Sequence, residues 1–193
     1  MKSLRLAVVA ALACACAAKP RAPEALAVLP DFAMTAIGPT AETPFGRSEM
    51  LGKPWVVDFI FTHCSGPCPL LTARLSMLSP SLPPQVGILT VTVDPDDDTP
   101  ARLRAYAKDN GADLKRWVFL RGTLPQTYEL LYSGFRLPMS VDPKAVPGAR
   151  AMHSTRFVLV DKNGAIRGYY EGLSGVDNDA LLRDVKRLLE ADA

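Results

Sequence analysis

Residues 56–72, VVDFIFTHCSGPCPLLT, constrain the fold of this chain more than any other stretch. The stretch begins with a nearly continuous run of β-branched and aromatic residues, which is typical of a strand buried on both faces of a sheet. The run leads to Cys64, and Cys68 and Pro69 follow where a helical pattern of leucines begins. A strand that leads through two cysteines into a helix brings both sulfurs to a helix N-terminus, where unpaired N–H groups and the helix dipole favour the thiolate. We therefore expect metal binding or disulfide chemistry at this edge of the sheet.

The other predicted elements alternate between strands and helices. Two short strands around a turn are predicted within residues 30–43. Further strands are predicted over residues 55–61, 86–93, 117–120, 155–160 and 165–170, and helices over residues 68–79, 100–108, 124–131 and 178–191. With 193 residues and 48% hydrophobic content, the chain is large enough for one domain with a full core. The order predicts an α/β fold, with a mixed central sheet covered by helices on both faces and an N-terminal strand pair.

The first sixteen residues predict export. Lys2 and Arg5 form a short positive region, residues 6–13 are apolar, and small residues surround Cys14 and Cys16. This arrangement is typical of a secretory signal and is too short to span a bilayer as a mature helix. A cysteine directly after Ala-Leu-Ala resembles a bacterial lipoprotein processing site. Cys14 is therefore the first candidate for acylation and Cys16 the second, with a cleaved soluble form or an uncleaved signal anchor as alternatives.

Residues 17–29 are rich in alanine and proline and predict a flexible tether, and residues 30–193 predict the folded domain. We expect a monomer on the periplasmic side of a bacterial membrane, held there by the lipid or signal anchor, where cysteines meet an oxidising environment. The chain carries 22 basic and 20 acidic side chains, and removal of the export segment leaves 20 of each. The sequence therefore predicts no basic face for nucleic acid.

Two cysteines and a distant histidine form the candidate metal site. Cys64 and Cys68 are four residues apart, a spacing that in helical geometry puts both sulfurs within reach of one ion. Two soft thiolates plus one imidazole suit copper(I), and zinc accepts the same set. His153 is the predicted third ligand, because it ends a long irregular segment (residues 133–152) and precedes a strand that can lie beside the central one. A segment of that length inside a compact domain is usually functional or mobile.

The same residues allow other interpretations. Cys64 and Cys68 could form a structural disulfide, but closing so short a loop contributes only about 2 kcal/mol, which a domain this apolar hardly needs. His63 adjoins Cys64, yet at that position its ring is expected to point away from the site into solvent. Met139 and Met152 could offer thioethers, although filling gaps in the core is the more common role of methionine.

The alternation of Asp94, Asp96 and Asp98 resembles a calcium-binding loop. The pattern fails, because Thr99 stands where glycine is required and Ala105 where a bidentate glutamate belongs. We therefore predict a helix cap and a negatively charged surface loop here.

Three motifs resemble those of the Sco/SenC family of thioredoxin-like copper proteins. They are FTHCSGPCP (residues 61–69), VDPDDDTP (93–100) and HSTRFVLVDKNG (153–164), and their order and spacing agree with the family over residues 30–189. The resemblance implies a thioredoxin-like fold outside the cytoplasm, and copper binding through Cys64, Cys68 and His153. It also implies a link to assembly of the dinuclear copper centre of cytochrome c oxidase, although some members act as thiol-disulfide reductases. The residues between the cysteines (Ser-Gly-Pro) and the lipoprotein-like anchor depart from the best-studied members, which leaves the client open.

The leading hypothesis is an exported, membrane-tethered copper metallochaperone that delivers copper to a respiratory oxidase subunit or another extracytoplasmic copper protein. The alternative is a thiol-disulfide oxidoreductase that keeps client cysteines reduced for metallation, with Cys64 attacking and Cys68 resolving. A thiol peroxidase on the same fold is disfavoured, because the sequence lacks a Thr-x-x-Cys turn with a nearby activating arginine.

Overall fold

An eight-stranded mixed sheet forms the centre of the fold. The computed structural model describes residues 21–142, 144–146 and 149–192. Its strands are β1 (Ala27–Val28), β2 (Ala33–Ile37), β3 (Glu42–Gly46), β4 (Trp55–Ile60), β5 (Gly87–Thr92), β6 (Trp117–Arg121), β7 (Met139–Val141), β8 (Ala151–His153), β9 (Arg156–Val160) and β10 (Ala165–Glu171). Its α-helices are α1 (Arg47–Met50), α2 (Cys68–Leu78), α3 (Pro100–Asp109), α4 (Leu124–Glu129) and α5 (Gly175–Asp192). The strand order is β1-β10-β9-β4-β5-β6-β2-β3, while β7 and β8 pair in a separate two-stranded sheet.

The two central strands are buried on both faces, as their apolar sequences predict. All six residues of β4 and all six of β5 are buried. Because successive side chains of a strand point to opposite faces, helices and loops must cover both faces of the sheet. The mixed α/β architecture, with its strand pair β2–β3 near the N-terminus, confirms the predicted fold class.

The topology brings three segments to one edge of the sheet. Strands β4, β5 and β6 are parallel, so the loops that follow β4 and β5 leave from the same edge. Strand β9 is antiparallel to β4, with Val57 opposite Val158, and its N-terminus therefore lies at that edge as well. The first loop carries the cysteines, the second carries the aspartates, and the segment before β9 carries His153.

Two segments differ from the sequence-based expectation. The predicted tether, residues 17–29, already contains β1, whose Ala27 pairs with Ile166 of β10, and Leu29 is only 2% exposed. The segment 133–152 is not irregular throughout, because β7 and β8 form a short hairpin in which Met139 lies opposite His153. Both elements are only two or three residues long, too short to show a period in the sequence.

The export segment, residues 1–16, lies outside the described residues together with Cys14 and Cys16. Within the part of the chain that is described, no helix combines the length and the apolar character needed to cross a bilayer.

Candidate metal centre

The structure brings Cys68 and His153 into direct contact. Cys68 is the first residue of α2 and is fully buried, whereas Cys64 lies in the preceding loop and is half-buried. The Sγ atom of Cys68 lies 3.2 Å from Nε2 of His153, although 85 residues separate them in sequence. The fold therefore places the His153 ring against one of the two cysteines, Cys68.

His153 is oriented by its other ring nitrogen. Nδ1 lies 2.9 Å from the backbone oxygen of Ser154, so Nδ1–H donates to this carbonyl and the lone pair of Nε2 faces Cys68. The ring also packs edge-on against Phe61, with centroids 6.0 Å apart. Burial lowers the pKa of His153, which keeps the imidazole neutral and available as a metal ligand at neutral pH.

The cysteines are free thiols, and Cys68 is not a thiolate in the metal-free protein. Burial, followed by a hydrogen bond with Cys64, raises the pKa of Cys68. The expectation that the helix N-terminus favours the thiolate is wrong for Cys68, because loss of solvation outweighs the helix dipole at a fully buried sulfur. An ion that binds here must therefore displace a proton from Cys68.

His63 faces the aspartate loop rather than the thiol pair. Its Nδ1 lies 2.8 Å from Asp97 Oδ2, and Arg102 binds the other carboxylate oxygen of Asp97 at 2.7 Å. Ligand atoms of His63, Asp97 and Asp98 lie within 4.8 Å of one another, but the contacts of His63 and Arg102 with Asp97 and the hydrogen bonds on Asp98 already account for the cluster. The prediction that His63 points away from the cysteines agrees with this contact.

Asp98 is a structural residue that sequence reasoning placed wrongly. It was expected in a surface loop but is 1% exposed, and its carboxylate accepts hydrogen bonds from the backbone N–H and the hydroxyl of Thr62 and from the hydroxyl of Thr92. These bonds connect the loop after β4 to the loop after β5, and so hold the segment that carries Cys64. No local pattern signals this role, because Thr62 lies 36 residues away.

The predicted cap of α3 is present, as Thr99 accepts from the backbone N–H of Arg102 at 3.3 Å.

The two methionines near His153 differ in burial. Met139 is buried, as expected of a core residue, whereas Met152 is 73% exposed and does not fill a gap in the core. Met152 precedes His153 on β8, so its side chain points to the opposite face of that strand.

The donor set of the site is soft. Two sulfurs and one neutral imidazole are ligands that copper(I) prefers and that zinc accepts. A mixed sheet whose parallel strands deliver a dithiol to its edge, with an imidazole supplied by the segment that precedes the neighbouring antiparallel strand, defines a thioredoxin-like protein with a dithiol–imidazole site. The sequence profile of the SCO1/SenC family matches residues 22–190. This chain belongs to the SCO1/SenC family.

Solved structures of family members are similar over most of the chain. A SCO1/SenC family lipoprotein from Bacillus anthracis is 30% identical, with a TM-score of 0.75, over 86% of this chain and 98% of its own. BsSco, described as a member of the Sco family of cytochrome c oxidase assembly proteins with a disulfide switch, is 25% identical, with a TM-score of 0.73, over 87% of this chain and 97% of its own. Yeast Sco1, solved with copper bound, is 25% identical, with a TM-score of 0.66, over 83% of this chain and 89% of its own. The expectations of a thioredoxin-like fold and of copper as the ion are supported by these relatives.

Proposed function

We propose that this protein is an exported, membrane-tethered copper metallochaperone, and that Cys64, Cys68 and His153 bind the copper that it carries. The observation that carries the proposal is the 3.2 Å contact between the sulfur of Cys68 and Nε2 of His153. The copper found in yeast Sco1 and the assembly role named for BsSco support copper as the cargo and a respiratory oxidase copper centre as its destination.

Each residue has a separate role in binding. Cys68 and His153 provide the buried side of the site, where the thiol proton must leave before the sulfur can bind a soft ion. Cys64 provides the accessible side, because it is half-buried and can meet an incoming or departing ligand. His153 ends the two-stranded hairpin β7–β8, outside the main sheet, so it can move away from the sulfurs without disturbing β4. This arrangement allows loading and release with the core intact.

The membrane tether is part of the same proposal. The signal-like residues 1–16 and the lipoprotein character named for the Bacillus anthracis relative support acylation at Cys14 or Cys16. Inhibition of lipoprotein processing should leave a larger precursor in cells. An unchanged size would remove the lipid anchor from the proposal.

Copper titration of the reduced domain tests the metal site. We expect about one copper(I) per chain in the wild type, and an affinity lower by at least about 100-fold in His153→Ala, because loss of even an outer-sphere partner weakens a metal site by 10- to 100-fold. His63→Ala is the matched control, since His63 adjoins Cys64 but contacts Asp97. An unchanged affinity in His153→Ala, or an equal loss in His63→Ala, would contradict the proposed ligand set.

Thiol-disulfide exchange is a second candidate function, favoured by the unequal burial of two free thiols. The thiolate of Cys64 would attack a client disulfide and release one client thiolate, and Cys68 would then attack the Cys64 sulfur to release the second. The client gains two electrons and the protein ends with a Cys64–Cys68 disulfide. Exchange that persists in His153→Ala, together with a mixed disulfide trapped by Cys68→Ser, would favour this function. A protein that binds copper but reduces no client disulfide would exclude it.

A further inference from the structure

A cavity of about 500 Å³ opens beside His153, on the outside of the candidate metal site. Two short segments line it, residues 136–140 before and within β7 and residues 152–156 from β8 to β9. A partner that takes a ligand position at Cys64, Cys68 or His153 must approach this edge of the sheet. The surface of the cavity is therefore continuous with the route by which copper would leave.

Two arginines make the cavity positive. Arg136 and Arg156 both line it. Burial raises the pKa of the Tyr169 hydroxyl, and the positive charges of both arginines oppose this rise. Both guanidinium groups are therefore close enough to this hydroxyl for their charges to act on it. Glu171 lies 3.7 Å from Arg156 and offsets part of its charge, whereas no carboxylate of the described residues lies within salt-bridge distance of Arg136.

The backbone at Arg136 is held in an unusual conformation. Its φ of 54° makes it the one non-glycine residue with positive φ among the described residues. A long side chain in this region of backbone conformation is uncommon, so the surrounding structure must impose it. The adjacent Phe135 and Leu137 are both buried, which fixes the chain on either side and presents the Arg136 side chain to the cavity.

The cavity also has an apolar part. Met139 is buried at its base and Met152, 73% exposed, lies at its rim. Arginine and methionine are both enriched in protein–protein interfaces, where a flexible thioether adapts to different partners. A surface with two arginines beside an exposed methionine fits a polypeptide that carries carboxylates next to an apolar side chain.

We propose that this cavity docks the acidic residues that flank the acceptor cysteines of the copper-receiving partner, so that Arg136 and Arg156 select the partner by charge. The proposal rests on the proposed function, because it concerns the partner that receives copper from the same site. Arginine forks bind carboxylates with two parallel hydrogen bonds, which would also fix the orientation of the partner's segment. Complementary charge at the rim of an interface mainly raises the association rate and selects among partners.

The test uses three synthetic peptides that differ only in the residues flanking a Ser-x₃-Ser core, which are Glu, Gln or Lys. Serine replaces cysteine so that binding depends neither on thiols nor on copper. Fluorescence anisotropy with the reduced, metal-free protein at low ionic strength should give a dissociation constant for the Glu peptide at least about fivefold below that of the Gln peptide, with the Lys peptide weakest. Added salt should reduce the preference, since exposed charges are screened.

Charge variants test whether Arg136 and Arg156 cause the preference for the Glu peptide. Arg136→Glu should abolish the preference for the Glu peptide and Arg136→Gln should reduce it, with Arg156→Gln as an independent probe of the second arginine. Lys115→Glu is the matched control, because it makes the same change of charge at an exposed position just before β6, at the opposite edge of the sheet. Circular dichroism spectra and melting temperatures equal to the wild type would show that each variant is folded.

Equal binding of the three peptides, or a preference that survives Arg136→Glu, would overturn the proposal. Binding to anionic phosphatidylglycerol vesicles that needs Arg136, without any peptide preference, would assign the cavity to the membrane surface and overturn it as well. The copper titration described above is separate from this test. A chain that binds copper but does not distinguish the peptides refutes docking alone, and one that distinguishes the peptides but binds no copper refutes the metal site alone.

Discussion

Burial gives Cys68 and His153 matching, uncharged states in the metal-free protein. Loss of solvation raises the pKa of the Cys68 thiol and lowers the pKa of the His153 imidazole, so both groups are neutral at pH 7. The thiol of Cys68 then donates to the lone pair of Nε2 at 3.2 Å. Under the proposed function, a soft cation would replace the proton of this hydrogen bond, so metal would compete directly with protons for the sulfur.

Copper binding should therefore release protons and strengthen as pH rises. The Cys68 thiol is protonated below its raised pKa, so each fall in pH makes the proton a stronger competitor, whereas the neutral imidazole releases none at pH 7. Isothermal titration calorimetry in buffers with different ionisation enthalpies measures the number of protons released. We expect at least about one per copper at pH 7, and Cys68→Ser should lower this number. A copper affinity that does not change between pH 6 and pH 8 would contradict displacement of the Cys68 proton by copper.

Asp58 is the second residue whose titration burial controls. It lies in the middle of β4 and is 1% exposed, its Oδ1 accepts from the hydroxyl of Thr90, and its Oδ2 has no partner among the described residues. Burial raises the pKa of Asp58 to about 7, against an opposing effect of the Thr90 hydrogen bond. In the unfolded chain the same carboxyl titrates near 4. Between these values the folded protein holds a proton that the unfolded chain has lost, so the free energy of unfolding falls as pH rises.

Asp58→Asn should remove this loss of stability. At pH 5 the carboxyl of the unfolded chain is already mostly ionised, so the variant should be more stable than the wild type by about 1.4 kcal/mol, and at pH 8 by up to about 4 kcal/mol for a shift of three pKa units. Urea unfolding at both pH values measures the difference. Thr90→Val, which removes the hydrogen bond to the ionised form, should make the wild-type dependence steeper. A variant whose advantage is equal at both pH values would contradict the assignment.

At the residue scale, the sequence predicted candidate donors but not the groups that hold them. Cys64, Cys68 and His153 were predicted because few other residue types bind soft ions and the chain has only two histidines. The hydrogen bond between Asp98 and Thr62, and the unpartnered oxygen of Asp58, depend on contacts between residues on different strands. An aspartate in a sequence shows neither its burial nor its partner, so these roles could not be predicted.

At the scale of elements, the hairpin β7–β8 differs from the rest of the fold. It has two strands of three residues each and pairs with no strand of the main sheet, whereas β4 is bonded to a strand on either side. A two-stranded hairpin alone is only marginally stable in water. Its backbone hydrogen bonds should therefore open at a lower free energy than those of the central strands.

Hydrogen exchange should show this difference and its dependence on copper. In the metal-free protein, amides of β7 and β8 should exchange at least about 100-fold faster than those of β4 and β5, because local opening costs less than global unfolding. Copper should slow exchange in the hairpin, since His153 would link it to Cys68 on α2. The measurement is exchange followed by mass spectrometry, with His153→Ala as the control in which copper should leave hairpin exchange unchanged. Slowed exchange that appears only in β4 and β5 would contradict a metal-linked hairpin.

Length and local pattern explain which elements could be predicted. The strands β4 and β5 have six residues each, most of them apolar and all of them buried. The hairpin β9–β10 is marked by a turn in which Gly164 has a φ of +78° and Asp161 accepts from two backbone N–H groups. The hairpin β7–β8 has no such signal, because its strands are short and prolines occur in the loop between them. Its pairing is decided by packing against the core rather than by its own residues.

At the scale of the whole molecule, the site depends on the mixed topology of the sheet. Parallel pairing of β4 with β5 brings the cysteine and aspartate loops together, and antiparallel pairing of β9 with β4 adds His153. The sequence predicted a mixed sheet from the alternation of elements, and the order and spacing of three motifs agreed with the family. Periodicity alone could not have placed β9 next to β4, since any of several strand orders buries the same apolar residues.

Copper should raise the melting temperature of the wild type mainly through His153. Two cysteines four residues apart can hold copper(I) in the unfolded chain as well, and binding to the unfolded state cancels part of any stabilisation. Only the third ligand requires the fold. At free copper about 100-fold above the dissociation constant, an ideal ligand contributes up to about 2.7 kcal/mol, or roughly 5–10 °C for a domain of this size. Calorimetry should show most of this shift lost in His153→Ala and retained in His63→Ala, and equal shifts in all three proteins would contradict it.

Because Cys68 and His153 are far apart in sequence, an incompletely synthesised chain has the two cysteines but lacks the histidine. A ribosome releases the dithiol well before it has synthesised the histidine 85 positions later. A nascent or prematurely terminated polypeptide therefore offers two-sulfur coordination only, which is weaker and open to exchange with other cellular thiols. Under the proposed function, only a complete chain binds copper tightly, and an incomplete chain releases it.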